Sequence, residues 1–431
     1  MYVVGQTGTG KTTLLKSLIL QDMAAGRGIC VIDPHGDLYN ELLGKIPVSR
    51  VHDVVLLDPV DELWPVGINP LQFEQESQRH FIIQEFSNIV MRMMEDQFGM
   101  QSTGQFVGPV FFQHLRMNLL LAMSRQEQPA TLIQLHAMFQ DQNFWKRWLP
   151  LQSADPHLRR WVDEVLPKVD YLRRGSDSMS MGEYIGSKFD SFVFDPMLRN
   201  IFGQARTTVN LRRIMDEGKI LLVNLAKGGL TDANAQFLGM LLVAKLQTTA
   251  MTRVNVQPSQ RAAFHIYVDE FQNIATQNFV TLISEARKFG IGLILANQFI
   301  SQVKDRRIVD AIFGNVGTIV CFRVGIPDAE ILEHGLGRGI VRTDLTNVPN
   351  WHAYTTLLAN GEVVPPFLMR SLMPKATYDR AIAEAVVEMS RKQYARPRCE
   401  VEREVLCSIR TEPMIAEPED PCAEVQMPVR M

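Results

Sequence analysis

Residues 1–13 read MYVVGQTGTGKTT. Gly5-Gln6-Thr7-Gly8-Thr9-Gly10-Lys11-Thr12 satisfies the pattern G-x-x-x-x-G-K-[ST] at every fixed position. Tyr2, Val3 and Val4 before it predict an apolar strand, and Leu14, Leu15, Leu18 and Ile19 after it predict a helix over 14–23. Between them the glycines let the backbone curl until successive N–H groups face one point, and the helix N-terminus adds its partial positive charge. Gly5 to Thr13 is therefore the expected phosphate cradle, with Lys11 reaching the β- and γ-phosphates and the Thr12 hydroxyl placed to ligate Mg2+. A chance glycine-rich turn would lack the flanking strand and helix. The expected ligand is ATP or GTP.

The rest of the pocket is sought at the ends of further apolar runs. Gly28–Ile32 predicts a second strand that ends in DPHGDL (Asp33 to Leu38), and strand–helix–strand order predicts a parallel sheet with ligands at the strand carboxyl ends. Asp33, His35 and Asp37 are then expected beside the nucleotide edge, His35 as a phosphate contact, a subunit contact or a structural turn. Phe264, Ile266, Tyr267 and Val268 predict a buried strand that delivers Asp269 and Glu270. Asp269 is the expected Mg2+ ligand, and Glu270 the expected carboxylate that orients the attacking water. Adjacent acids there, and no N-K-x-D stretch anywhere, point to ATP hydrolysis over a GTP switch. In SEARKFGIGLILANQF (Ser284–Phe299) a helix over 277–289 is expected to end at Gly290, and a strand over 291–296 to present Gln298 to the γ-phosphate or the lytic water. Arg287 at the bend is the expected guanidinium for a neighbouring subunit's phosphate, the alternative being a cap on its own helix. Arg323, on a fourth strand over 317–324, is a second candidate for that role.

Composition bounds the function classes. The chain has 431 residues, 46% hydrophobic and 21% charged, as expected of two or three globular domains. A formal net charge of -3 excludes a protein that is basic all over, though a narrow basic pore built from a ring of copies remains open. The five cysteines, Cys30, Cys321, Cys399, Cys407 and Cys422, include no C-x-x-C and are read as reduced thiols of a cytosolic protein. The nine histidines show no ligand spacing. No apolar run reaches the roughly 18–20 residues of a membrane span, and no signal-peptide pattern follows Met1.

Together GQTGTGKTTLL, VIDPHGDL, DEGKILLVNLAKGGL (Asp216–Leu230), YVDEFQN and ARKFGIGLILANQ resemble the HerA–FtsK superfamily of ring ATPases. They resemble most the coupling-protein ATPases of conjugation and type IV secretion, the TraG/TraD kind. The resemblance covers most of residues 1–380 and implies an α/β fold: a RecA-like P-loop NTPase core with a mostly parallel central sheet and an inserted all-α domain. It implies a homo-hexamer that hydrolyses ATP with Mg2+ and moves single- or double-stranded DNA through its centre. Lys11, Thr12, Asp269 and Glu270 carry over as Walker residues, Gln298 as the sensor and Arg287 as the arginine finger. A relaxase and secretion-channel proteins are the implied partners, and the cytoplasm, up to the inner face of the cell membrane, the implied location. Family members usually carry more protein before the phosphate loop, so the chain reads as an N-terminally truncated product or one started at an internal Met. Membrane contact is then expected only through that missing region or through partners.

The expected organisation is a first core segment over 1–71, closing where Pro59, Pro65 and Pro70 mark an extended exit from the sheet. An all-α insert is expected over 72–205, with Ile82, Phe86, Ile89, Val90, Met93 and Met94 at helical spacing. Arg159, Arg160, Lys168, Arg173 and Arg174 gather charge in its later part, either a DNA contact or a solvated face. The second core segment is expected over 206–380, with AKGGLTDANAQ (Ala226–Gln236) and SQVKDRR (Ser301–Arg307) as candidate DNA-facing loops. Residues 381–431 are expected to be helical and then disordered. Two other functions fit these residues: a HerA/FtsK-like motor in repair, segregation or packaging, and, in another class, a nucleotide-regulated docking scaffold without motor activity. Paired acids beside Gln298 favour turnover over binding alone.

Overall fold

The computed structural model describes residues 1–98, 108–141, 143–168, 181–226, 229–277, 279–337, 339–359 and 361–410. They form two compact units, residues 1–58 with 210–390 and residues 59–209 with 391–431. The chain leaves the first unit at Asp58 and Pro59 and returns at Asn210, where the sequence drew the borders at 72 and 205.

The first unit is built on a nine-stranded sheet in the order β3-β4-β2-β5-β6-β1-β7-β8-β9. Its strands are β1 Tyr2–Val4, β2 Gly28–Asp33, β3 Val54–Leu57, β4 Ile220–Asn224, β5 Phe264–Val268, β6 Ile291–Asn297, β7 Thr318–Cys321, β8 His352–Ala359 and β9 Glu362–Arg370. From β3 to β7 every pairing is parallel, and β8 and β9 add an antiparallel edge. The fold is therefore the expected α/β architecture. Strands covered by helices on both faces have no polar side to show, so β1 to β4 are buried at every position. Ile29 and Val31 on β2 pack with Leu15, Ile19 and Met23 of the helix Lys11–Ala24, and with Leu38 and Leu42 of the helix Asp37–Leu43.

Register decides what the sheet edge offers. Val4 pairs with Asn297 and with Cys321, Ile32 with Val268, and Asp33 with Asn224. The carboxyl ends of β1, β2, β5 and β6 thus stand in line, as doubly wound sheets place their ligand crevice. β3, at one edge, donates its Leu56 N–H to Ser390 Oγ at 2.9 Å, so a side chain from the helix Arg380–Tyr394 satisfies it.

The second unit is helical among its described residues, with one isolated bridge between Val66 and Ala395. Ile82, Phe86, Ile89, Val90 and Met94 of the helix Glu76–Phe98 are buried, and Met93 is half-buried. Phe189 stacks on Phe86 and on Phe139, with ring centroids 5.8 and 6.5 Å apart. The helix Arg398–Ile409 is part of this unit: a Cβ on Gly203 would lie 2.5 Å from Val405 Cγ2, and Glu404 accepts the Ala205 N–H at 2.9 Å. The disorder expected at the chain end concerns residues 411–431, outside the described residues, as do Arg173 and Arg174. Cys399 is disulfide-bonded, which corrects the reading of all five cysteines as reduced thiols. Cys30, Cys321 and Cys407 are free.

At the amino ends of the strands, Asp22 is buried and accepts from Arg27 Nη1 at 2.7 Å, from Tyr267 Oη at 2.6 Å, and from His265 Nδ1. Burial alone would raise its pKa, but hydrogen bonds from His265, Tyr267 and Arg27 outweigh it and hold the group at about 2, below its ordinary 3.8. A carboxylate depressed in the folded state stabilises fully above its unfolded value, and that contribution is lost as pH falls through the folded one. Asp22→Asn is therefore expected to lower the unfolding free energy at pH 7 by on the order of 2 kcal/mol. In urea titrations the gap from wild type should narrow as pH drops from 4 toward 2, and equal midpoints at pH 7 would refute the assignment.

Candidate functional site

The loop after β1 has the shape its glycines permit. Gly8 and Gly10 have φ of 77° and 120°, a region closed to most side chains. The Lys11 ammonium folds back over the loop, donating to Gly5 O at 2.6 Å and Gln6 O at 3.3 Å. Thr9 Oγ1 donates to Gln6 O at 2.7 Å. Thr12 is exposed and Thr13 half-buried at the first turn of the helix.

β5 delivers Asp269 and Glu270 to the same edge, both buried. Glu270 has φ 44° and ψ 48°, the left-handed region that a side-chain-bearing residue occupies only when its surroundings impose it. Its N–H donates to Asp269 Oδ1 at 3.0 Å, and its Oε2 accepts from Gln272 Nε2 at 2.7 Å. Burial, then the charges of Glu270 and Asp33, push the Asp269 pKa up to about 6 against the opposing pull of Lys11. Burial lowers the pKa of Lys11, while Glu270 and Asp269 raise it. An ammonium and three carboxylates thus act on one another where little water reaches. The Asp269 carboxylate and the Thr12 hydroxyl are the kind of hard oxygen donors that Mg2+ takes.

The remaining expectations sort by position. Asp33 is committed to its own loop, accepting the N–H of His35 on Oδ1 and of Tyr39 on Oδ2, both at 2.9 Å. His35 is exposed. Gln298 is half-buried at the carboxyl end of β6, one residue after Asn297. Arg323 lies beside the phosphate loop of its own chain, its carbonyl accepting from Gln6 N at 2.8 Å and its Nη1 donating to Val348 O at 3.5 Å. Arg287 is exposed on the turn Ala286–Phe289, at the amino end of β6. β6 runs from Ile291 to Asn297, roughly 20 Å at about 3.3 Å per residue, so Arg287 and Lys11 occupy opposite ends of one sheet. The expected helix over 277–289 is shorter, Phe279–Glu285, followed by that turn and closed by Gly290 at φ 72°. In the candidate DNA-facing loops, Arg307 is paired with Asp305 at 2.8 Å, and Lys227 and Gly228 lie outside the described residues. Arg160 pairs with Glu164 at 3.1 Å.

Sequence reading missed three groups. Asn297 is fully buried and bridges Tyr2 Oη and Phe299 O, both at 2.9 Å, fixing the strand end from which Gln298 emerges. Trp351 donates its N–H to Thr9 O of the phosphate loop at 2.7 Å. Arg253, wholly buried, donates to Asp216 Oδ1, Phe289 O and Ala262 O at 3.0, 2.9 and 2.6 Å, anchoring the turn that carries Arg287. No local pattern could have pointed to any of them.

Two sequence segments match family models: residues 1–99 match "Helicase HerA, central domain", and residues 263–334 match "TraM recognition site of TraD and TraG". The chain resembles the HerA and coupling-protein ATPases. In fold it is similar to the plasmid coupling protein TrwB in complex with ADP and Mg2+, with a TM-score of 0.58 and 12% identity over 88% of this chain and 87% of that one. The unbound form of the bacterial conjugative coupling protein TrwB gives 0.56 and 14%, over 88% and 86%. VirB4 of Thermoanaerobacter pseudethanolicus gives 0.56 and 13%, over 87% and 89%. These likenesses establish a RecA-like P-loop ATPase fold. No curated protein matches the chain in sequence.

The two left-handed glycines of the loop differ in what surrounds them. A Cβ on Gly8 would meet nothing within 4 Å, whereas one on Gly10 would lie 3.1 Å from Trp351 Cδ1 and 3.2 Å from Phe322 Cε1. Gly8→Ala is expected to cost about 1 kcal/mol of stability from backbone strain alone. Gly10→Ala adds the displacement of both rings, roughly a further 1–3 kcal/mol. Denaturant midpoints check the order, and equal losses would contradict it.

Proposed function

We propose that the chain is an ATP-hydrolysing motor that works as a ring and moves DNA, of the kind that couples hydrolysis to DNA transfer in conjugation or type IV secretion. The observation that carries this reading is the convergence of Lys11, Asp269 and Glu270, all buried, at one edge of a RecA-like sheet. In this reading the N–H groups of Gly5–Thr13 and the Lys11 ammonium hold the triphosphate, exchanging the loop carbonyls that Lys11 now contacts for phosphate oxygens. Thr12 and Asp269 would hold Mg2+, which neutralises charge between the β- and γ-phosphates. Glu270, oriented by Gln272, takes the proton of the attacking water, and Gln298 at the neighbouring strand end steers that water or the γ-phosphate. The left-handed backbone at Glu270 aims its carboxylate, and the strain is held by the strand before it and the turn after it.

Arg287 is too far along β6 to serve its own phosphates. Its place in the mechanism is therefore in trans, on a triphosphate held by the adjacent copy, and this makes a ring, most simply a homo-hexamer, the working unit. TrwB is described in complex with ADP and Mg2+ and with non-hydrolysable ATP and GTP analogues, which supports nucleotide and Mg2+ at the corresponding loop here. The match of residues 263–334 to the TraD and TraG model favours the coupling-protein role, with a relaxase and channel proteins as partners. No helix among the described residues is long and apolar enough to cross a membrane.

Steady-state ATPase assays with and without DNA test the reading. Lys11→Ala and Glu270→Gln are expected to abolish DNA-stimulated turnover, Glu270→Gln by roughly two to four orders of magnitude with ATP binding kept. Arg287→Ala is expected to cost about a thousandfold or more. Mixed with wild type, it should depress activity more steeply than its mole fraction. Full activity of Arg287→Ala alone would remove the trans role, and a response to DNA that stays flat at all salt concentrations would favour the docking scaffold.

A further inference from the structure

Trp351 has a backbone that few bulky residues adopt, φ 64°, immediately before β8. Left-handed geometry costs such a residue energy, so the surroundings must hold it. They do so from two sides. Its N–H donates to Thr9 O at 2.7 Å, and its carbonyl accepts from Ser371 N at 2.7 Å and Ser371 Oγ at 3.0 Å. The indole lies against Gly10, close enough that a methyl group there would crowd Cδ1 and the Trp351 Cα. Even so, the residue keeps 48% of its surface exposed. A large aromatic ring is thus fixed in position, half open, at the rim of the phosphate cradle. If its role were to fill the core, burial would be expected, since an indole gains most when covered on both faces.

We infer that Trp351 is the platform on which the nucleotide base stacks when the triphosphate sits on Gly5–Thr13. The inference rests on the nucleotide-binding reading above and extends it to the base. Gly10 to Thr13 begin the helix Lys11–Ala24, where the inner phosphates meet the loop and the ribose departs, and the ring stands beside that point of departure. An indole face recognises a π-surface and no particular hydrogen-bond pattern. The site then takes purine nucleotides over pyrimidine ones and separates adenine from guanine poorly. Because the Trp351 N–H is bonded to Thr9 O and the residue lies against Gly10, base and phosphates are read by one unit.

Binding of ATP, GTP, CTP and inorganic tripolyphosphate, each with Mg2+, is measured by calorimetry on the whole chain. The proteins are wild type, Trp351→Asn, Trp351→Phe and Lys11→Ala. Asn tolerates the left-handed backbone and Phe restores an aromatic face. Trp351→Asn is expected to weaken ATP and GTP about ten- to hundred-fold, the scale of one base–aromatic stack. It should leave tripolyphosphate affinity unchanged, and Trp351→Phe should recover most of the loss. ATP should quench tryptophan fluorescence in wild type and not in Trp351→Phe, and tripolyphosphate should quench neither. An equal loss of ATP and tripolyphosphate in Trp351→Asn would mean that the ring only props the loop. Unchanged ATP affinity would mean that it faces something else, such as a second copy. Either result overturns the inference while the nucleotide reading stands. If wild type binds neither ATP nor tripolyphosphate, or Lys11→Ala binds both as well as wild type, the nucleotide reading fails and this inference with it.

Discussion

Lys11, Asp269 and Glu270 are each at most 7% exposed, and they meet at the ends of two strands in a sheet with helices on both faces. Moving charges from water to such a place costs several kcal/mol per ion, and mutual attraction offsets that only when the groups are held close. Here the holding is done by backbone: the loop carbonyls of Gly5 and Gln6 on the ammonium, and the Glu270 N–H on Asp269. The balance remains short of positive charge, because burial, Glu270 and Asp33 together raise Asp269 against the pull of Lys11 and of the Glu270 N–H. The rest of the first unit serves to keep these three side chains at one edge. β2 lies between β5 and β4, and its Asp33 has both carboxylate oxygens occupied by N–H groups of the following turn and helix.

What could be read from sequence follows from how local each constraint is. The phosphate loop needs its glycines, lysine and threonine within eight consecutive positions, and the strands on either side of it are apolar throughout because both faces are covered. Asp269 and Glu270 were legible for the same reason: Phe264 to Val268 had to be a central strand, and such a strand ends at the ligand edge. Trp351 was not legible, because what fixes it is a hydrogen bond to a loop at the other end of the sequence. Nor was Arg253, whose three acceptors come from three separate stretches. The helix Arg398–Ile409 reads as charged, with only Val401 and Val405 buried, so its place in the second unit shows only once Gly203 is seen to leave room for a valine.

At the amino ends of the strands, Arg50 donates to Met23 O and Gly218 O, Arg253 to Phe289 O and Ala262 O, and Arg261 to Val256 O and Lys288 O. Each places its guanidinium on carbonyls where a turn or a helix ends, so these cations act as fasteners and add little outward charge. Arg287 sits among them on a turn whose Lys288 and Phe289 carbonyls are both held in this way, yet its own side chain is exposed. A guanidinium that merely closed its helix would be drawn onto the same carbonyls, but Arg253 and Arg261 already occupy them. The turn is therefore made rigid by two arginines while a third is left projecting from it. In the trans role proposed for Arg287 that rigidity counts, because orientation fixed during folding need not be found again at each encounter with a phosphate on another molecule.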